Sequence, residues 1–174
     1  ETTPLTPNQI QGLNVFANNA TSRCGVCHTP PIFSNRGFHN LGLRPSSEDI
    51  GRQAVTNNPA DIGKFKTPSL RNVGLRGTFF HNGVRTTLAE VVGFYANVPG
   101  TVRFNADIDP LIPGIAINPA AQAQLVDFLT NGLTDPRVAN ATFPFDKPTM
   151  WDERGGDKPL TIGGGTAGTG AVVP

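Results

Sequence analysis

The first stretch of the chain with apolar residues at helical spacing covers residues 6–18. It opens with Thr6, whose hydroxyl can cap a helix, and Pro7, whose missing N–H is no loss at the first helical position. The apolar residues that follow at this spacing are Ile10, Leu13 and Phe16. The pattern predicts an amphipathic helix that buries these side chains.

A second helix is predicted to begin at Leu88. Thr87 and Glu90 have the spacing of a capping box, in which each side chain bonds the backbone N–H of the other residue. The residues that follow at i, i+3, i+4 and i+7 are Leu88, Val91, Val92 and Tyr95. We therefore expect Tyr95, the only tyrosine of the chain, to point inward.

A third helix is predicted to begin at Asn118 and Pro119, by the same combination of a capping residue and a proline at the first position. Gly132 stands where a glycine often terminates a helix. The apolar side of this helix would consist of Leu125, Val126, Phe128 and Leu129.

The remaining sequence is rich in Pro, Gly and Asn. The stretch from Thr29 to Lys66 has no sustained period and is expected to be a long irregular connection. Residues 134–174 are too poor in apolar side chains to fold alone and should lie on the body or on a partner. The sequence thus predicts a mostly α fold, with a helical domain over 1–133 and a Pro/Gly-rich extension over 134–174.

The charge of the chain is nearly balanced. Its 174 residues contain 14 Lys and Arg against 13 Asp and Glu, a formal net charge of +1. This argues against binding to nucleic acid or to an anionic membrane. No apolar run approaches the roughly 18 to 20 residues needed to span a bilayer, so no membrane span is expected.

The chemistry of the chain is concentrated in Cys24-Gly25-Val26-Cys27-His28. In this pattern the two thiols can add to the vinyl groups of a porphyrin, and the adjacent imidazole can ligate the iron as proximal ligand. The sequence therefore predicts one covalently bound haem c. A buried haem would also supply much of the core that this loop-rich chain lacks.

Three other uses of this motif are weighed against haem attachment. A dithiol redox pair would require a βαβ context, which the surrounding sequence does not supply. A structural zinc site would need a fourth ligand at short spacing. A disulfide between Cys24 and Cys27 would leave His28 unexplained. Haem c assembly and the absence of other cysteines favour an exported, periplasmic protein, and because the chain begins at Glu1 without a leader, we expect any export signal to be removed or absent.

The second axial ligand would decide the function, because a strong ligand gives an electron carrier and an open position gives a site for peroxide or oxygen. Met150 is the only methionine but lies in the predicted extension. His39 and His81 are expected to be hydrogen-bonded polar residues rather than ligands. Tyr95, if buried, must find a partner, which could be an iron or a backbone carbonyl.

From Leu5 to about Leu133 the chain resembles the C-terminal haem domain of the bacterial dihaem cytochrome c peroxidase and MauG family. The resemblance is carried by Thr6 to Phe16, Cys24 to Pro30, Phe33-Ser34-Asn35, Phe38 to Leu43, Asp49 to Arg52, Phe65 to Val73, Phe80-His81-Asn82-Gly83 and Leu88 to Tyr95. It implies a cytochrome c-like helical domain.

The resemblance also implies site residues. Fourteen residues after the histidine of the Phe-His-x-Gly block, the peroxidases carry a methionine ligand and MauG-like members a tyrosine; here that residue is Tyr95. His28 and Tyr95 would then ligate the iron, and a phenolate ligand would lower the potential. Phe38 and His81 would contact the haem, and Arg71 is a candidate partner of a propionate or of a surface carboxylate.

Two departures from the family pattern limit what is carried over. The family couples two haems, whereas this chain has one attachment motif, so a second haem would be on another chain, on a removed portion, or absent. At the positions of the family's calcium ligands the chain has Arg76 and Thr78, which argues against calcium. Arg76 could hold a propionate or a partner's carboxylate instead.

The sequence favours an electron-transfer domain or subunit that exchanges electrons with a partner protein or a second haem domain. One alternative is the electron-donating half of a peroxidase or MauG-like oxidase that needs a second haem domain. Another is a structural subunit in which haem forms the folding core, with residues 134–174 docking neighbours in a hetero-oligomer. Whether the chain is itself an enzyme is left open by the sequence.

Overall fold

The computed structural model describes residues 4–96 and 108–146, and this part of the chain is mostly helical, as the sequence predicted. Its α-helices are α1 (Pro7–Ala17), α2 (Cys24–Cys27), α3 (Gln53–Thr56), α4 (Leu88–Ala96), α5 (Pro119–Asp127) and α6 (Pro136–Ala139). Its strands are β1 (Phe38–His39) and β2 (Phe65–Lys66). Short 3₁₀ turns cover Pro59–Asp61, Val73–Leu75 and Ile112–Gly114.

Helix α1 begins where its capping signal predicted. Thr6 Oγ1 accepts from the N–H of Gln9 at 3.3 Å, and the Gln9 side chain accepts from the N–H of Thr6 at 3.0 Å. The predicted buried stripe is wrong at Ile10, which is 45% exposed. The helix buries Phe16, as predicted, and also Gly12, because it lies close against α5 along the glycine.

The packing of α1 on α5 depends on Gly12. A Cβ added there would clash with the carbonyl oxygen of Gln124 and lie 2.6 Å from Cβ of Phe128. Phe16 and Phe128, both 2% exposed, complete this interface with their ring centroids 5.6 Å apart. The contact between α1 and α5 is therefore part of the buried core.

We expect Gly12→Ala to destabilise the fold. The new methyl group must push α1 away from α5, and overpacking of this kind typically costs about 1–3 kcal/mol. The measurement is the midpoint of denaturant unfolding. Gly77→Ala is the control, because a Cβ at Gly77 has no neighbour within 4 Å; equal midpoints for the two variants would contradict the close approach of the helices.

Helix α4 begins at the predicted capping box. The N–H of Glu90 donates to Thr87 Oγ1 at 3.2 Å, and Glu90 Oε2 accepts from the N–H of Thr87 at 3.0 Å. Leu88 and Val92 are buried, while Val91 and Tyr95 are partly buried against the core. The capping box thus fixes the phase that turns these side chains inward.

Helix α5 begins at Asn118, whose side chain accepts from the N–H of Ala121 at 2.9 Å. Its end differs from the prediction, because Phe128–Gly132 form a π-helical turn. Gly132 lies inside that turn and is not the terminating glycine; Leu133 caps it, with its N–H donating to Phe128 O at 3.1 Å. The wider turn accompanies burial of both Phe128 and Leu129.

The long segment from residue 29 to residue 66 is irregular except at its small sheet and short helical turns. Strands β1 and β2 pair antiparallel, with Phe38 opposite Lys66 and His39 opposite Phe65. Two-residue strands carry no alternation to be read, so the sequence did not predict them. Their pairing joins residues 38–39 to the end of the segment at residues 65–66.

By its internal contacts the described chain divides into two units after Leu133. The first holds the apolar core, which centres on Phe16, Val73, Val92, Ile112, Leu125 and Phe128. The second contains α6, which Asp135 caps by accepting from the N–H of Arg137 at 2.9 Å. Among the described helices, none combines the length and apolarity required to cross a bilayer.

Candidate functional site

A cavity of about 350 Å³ opens into the first unit, and we call it the central cavity. Both thiols of the Cys-x-x-Cys-His motif and its imidazole line it, together with Tyr95. Much of the remaining wall is apolar, including Phe16, Leu70, Val73, Phe79, Leu88, Val92, Ile112, Ile115, Leu125 and Leu129. The structure therefore brings the predicted attachment motif and the predicted second ligand to one apolar chamber.

The attachment motif forms its own one-turn helix, α2. Arg23 precedes it in the left-handed conformation, with φ of 56°, and the N–H of His28 closes it by donating to Cys24 O at 2.9 Å. This turn sets Cys24, Cys27 and His28 on the wall of one cavity.

Both cysteines are free thiols. Burial raises the pKa of Cys24 to about 11 and also raises the pKa of Cys27, with the charge of Asp109 adding to the effect on Cys27. A redox-active or zinc-binding cysteine needs the opposite shift, toward the thiolate. Within the described residues no group of three or more potential metal-binding side chains is found. The raised pKa values thus favour haem attachment over the dithiol and zinc interpretations.

His28 is held as a metal-binding imidazole should be. Its Nδ1 lies 3.1 Å from the carbonyl oxygen of Phe33, which places the proton on Nδ1 and the lone pair on Nε2. Burial lowers the pKa of His28, although the carbonyls of Phe33 and Pro68 oppose that shift. The ring is thus favoured in its neutral form, the form that ligates metals.

His39 also lines the central cavity, but both of its ring nitrogens have partners. Its Nδ1 lies 2.6 Å from Asp109 Oδ2 and its Nε2 lies 3.1 Å from Asn35 Nδ2. Asn35 Oδ1 accepts from the N–H of Gly37 at 2.7 Å, so the amide turns its NH₂ group toward His39. The hydrogen-bonding role predicted for His39 agrees with this arrangement.

His81 is anchored in a similar way. Its Nε2 lies 3.0 Å from Asp49 Oδ2, and its ring stacks on Phe65 with centroids 3.5 Å apart and an angle of 5° between the planes. His81 lines the central cavity, where its predicted contact with a haem remains a prediction.

Tyr95 lies in the last turn of α4, partly buried against the core, and lines the central cavity. Its ring belongs to an aromatic cluster, with centroids 6.3 Å from Phe80 and 5.4 Å from Phe94. This cluster restricts the directions in which the phenol can turn. Met150, the other candidate ligand of the sequence, falls outside the described residues.

The remaining predicted site residues lie elsewhere. Phe38 is absent from the wall of the central cavity and lies beneath the guanidinium of Arg52, 3.8 Å from the ring centroid. Arg71 is exposed, and its Nε and Nη2 donate to Pro31 O at 3.0 and 2.7 Å. The structure does not bring either residue to the other site residues, whereas Arg76 and Thr78 do line the cavity.

Arg23 and Lys66 are cavity residues that the sequence did not single out. Nη1 of Arg23 donates to Leu111 O at 3.1 Å, and its guanidinium packs on Gly114, where any Cβ would collide with it. The position of Arg23 directly before Cys24 could have marked Arg23 as a candidate cavity residue. The segment that fixes its direction is almost ninety residues away in sequence and could not be read from the motif.

These groups fit a covalently attached haem. Two thiols, a neutral imidazole and a phenol share an apolar cavity, and cations at the cavity wall match the negative charge of propionates. This combination of residues is typical of c-type haem domains.

No family model matches the chain, but curated proteins are similar to it. The chain is 35% identical over 127 residues to the cytochrome-c peroxidase IdrP1 of Denitromonas iodatirespirans, which covers 56% of this chain and 33% of that protein. It is 34% identical over 129 residues to the methylamine utilization protein MauG of Paracoccus denitrificans, covering 61% and 32%.

Solved structures that resemble the chain are of the same kinds of protein as these relatives. A MauG-like protein associated with microbial copper homeostasis matches with a TM-score of 0.69 and 25% identity, over 84% of this chain and 49% of that one. The diheme peroxidase BthA of Burkholderia thailandensis matches with a TM-score of 0.61 and 25% identity, over 82% and 46%. These relatives and solved structures support the resemblance of the chain to the bacterial dihaem cytochrome c peroxidases and MauG. The chain spans about a third to a half of the length of these relatives.

Proposed function

We propose that this chain is a c-type haem electron-transfer domain or subunit of the bacterial dihaem cytochrome c peroxidase and MauG family, with one haem bound covalently through Cys24 and Cys27. The observation that carries the proposal is the placement of both thiols, His28 and Tyr95 on the wall of one apolar cavity. When bound, the haem supplies a one-electron ferric/ferrous couple. The chain would exchange that electron with a partner redox protein or a second haem domain.

The residues of the chain have distinct roles in this proposal. Cys24 and Cys27 would anchor the cofactor, and His28 would hold the iron through Nε2 because the Phe33 carbonyl keeps the proton at Nδ1. Tyr95, placed by its aromatic neighbours, would supply the second ligand. With two protein ligands no position would be open to peroxide, which favours electron transfer over catalysis.

The partial coverage of the relatives supports a second candidate, the electron-donating half of a peroxidase or MauG-like oxidase. The chain matches about half the length of the diheme peroxidase BthA, which leaves room for a second haem domain elsewhere in such an assembly. In this proposal residues 1–133 form the haem domain that corresponds to the C-terminal domain of the family, and residues 134–174 form an extension that docks a neighbour. A periplasmic location follows from haem c assembly.

The function is tested with the protein isolated from a host that matures c-type haem. We expect a single reversible one-electron transition in a spectroscopic redox titration, with no spectral change on adding cyanide or peroxide. Rapid formation of a ferryl species by the isolated chain would contradict the electron-transfer role. A complex that purifies with a second haem chain and turns over peroxide would favour the second candidate.

A further inference from the structure

A surface groove lies beside the central cavity and shares part of its wall. Phe65 and Lys66 line both concavities. The groove also has residues that do not line the central cavity, among them Phe38, Arg52, Val55 and Lys64. We call this concavity the Lys64 groove. The two shared residues place the groove directly beside the proposed haem chamber.

The groove presents apolar surface to solvent. Val55 is 84% exposed, and Ile50 close by in sequence is 42% exposed. Phe38 carries the guanidinium of Arg52 over its ring, which fixes both side chains. Aromatic and Arg side chains are enriched in the cores of protein interfaces, and the groove offers Phe38, Phe65 and Arg52.

The charge around the groove is positive. Arg52 Nε is 3.2 Å from Asp61 Oδ2, so the charge of Arg52 is compensated. In the described part of the chain neither Lys64 nor Lys66 has an ion-pair partner, and the lining residues of the groove include no acid. The net charge of +1 for the whole chain does not indicate this local excess of positive charge.

We propose that the Lys64 groove is the docking site of a redox protein with an acidic rim around an apolar patch. The proposal rests on the electron-transfer function proposed above and names the partner that fits it. A partner docked there would lie beside the wall, at Phe65 and Lys66, that the groove shares with the proposed haem chamber. One electron would pass between the two redox centres, with one centre oxidised, the other reduced, and no bond made or broken.

The test is voltammetry of the haem-loaded protein on gold electrodes with carboxylate-terminated and ammonium-terminated monolayers. At low salt the carboxylate surface stands in for the acidic partner, and we expect a haem wave there that weakens as salt is added. Lys64→Glu removes a cation that lines the groove only and should reduce the electroactive coverage severalfold. Lys64→Glu with Lys66→Glu should reduce it about tenfold or more.

The matched control is Arg85→Glu, which changes the net charge by the same amount as Lys64→Glu at a residue that lines neither concavity. Lys64→Gln with Lys66→Gln serves if charge reversal disturbs folding, judged by the haem spectrum and the melting temperature. The proposal is overturned if the lysine variants and Arg85→Glu lose coverage equally while a solution titration still shows the haem couple. Absence of that couple in solution would instead remove the proposed function and, with it, the docking site.

Discussion

Replacement of both Cys24 and Cys27 by alanine is expected to abolish covalent haem attachment and to unfold most of the chain. The central cavity is lined by core residues such as Phe16, Val73 and Leu125, and without the cofactor these side chains face an empty space or water. Loss of a structural cofactor belongs to the largest class of mutational effects, on the order of 4–5 kcal/mol or more. That is a large share of the roughly 5–15 kcal/mol that stabilises a domain.

The measurement is the haem absorbance of the denatured protein, which detects only covalently held haem, together with thermal unfolding by circular dichroism. Ser22→Ala is the stability control. Ser22 precedes the motif, is fully buried, and its hydroxyl bonds backbone carbonyls of α1. Its replacement therefore lowers stability without removing a haem-binding thiol. It should lower the melting temperature while keeping the haem. A double cysteine variant that retained wild-type stability would contradict the role of haem as part of the core.

Tyr95→Phe is expected to remove one axial ligand and leave the fold intact. The substitution keeps the ring within the cluster of Phe80 and Phe94 and deletes only the hydroxyl oxygen. The ferric protein should change from six-coordinate to five-coordinate, and its potential should rise because an anionic donor that favours ferric iron is gone. Electron spin resonance and a redox titration measure both effects.

Tyr95→Met distinguishes loss of a ligand from disturbance of the pocket. A thioether at this position should restore six-coordination and raise the potential further, since methionine/histidine ligation gives high potentials. Phe80→Leu is the matched control, because it disturbs the same aromatic cluster without touching the hydroxyl. If Tyr95→Phe leaves the ferric spectrum unchanged, the tyrosine is not a ligand.

What the sequence predicted well was local in origin. Thr6 and Asn118 each accept from a backbone N–H within the next three residues, and Glu90 closes a box with Thr87. Interactions of such short range are written directly in the order of the residues. The same is true of the attachment motif, whose spacing brings two thiols and an imidazole together within one turn of helix.

What the sequence missed depends on contacts between distant segments. Ile10 is exposed and Gly12 buried because α5 approaches α1 at the glycine, which the apolar stripe alone could not indicate. The bond between Arg23 and Leu111 and the pairing of β1 with β2 join residues far apart in the chain.

The difference between local and distant contacts also explains which predicted site residues line the central cavity. The prediction for Tyr95 rested on helical phase, which carries over to the structure, and this residue lines the central cavity. The predictions for Arg71 and Phe38 rested on the family resemblance of the sequence blocks that contain them. The structure directs Arg71 to the carbonyl of Pro31 and Phe38 to the Lys64 groove.

The most direct test of the account is the intact mass of the chain after expression in a host that assembles c-type haem. The account predicts the polypeptide mass plus one haem, with Cys24 and Cys27 both resistant to alkylation because each is a thioether. A bare polypeptide with two alkylatable thiols from that host would contradict the account.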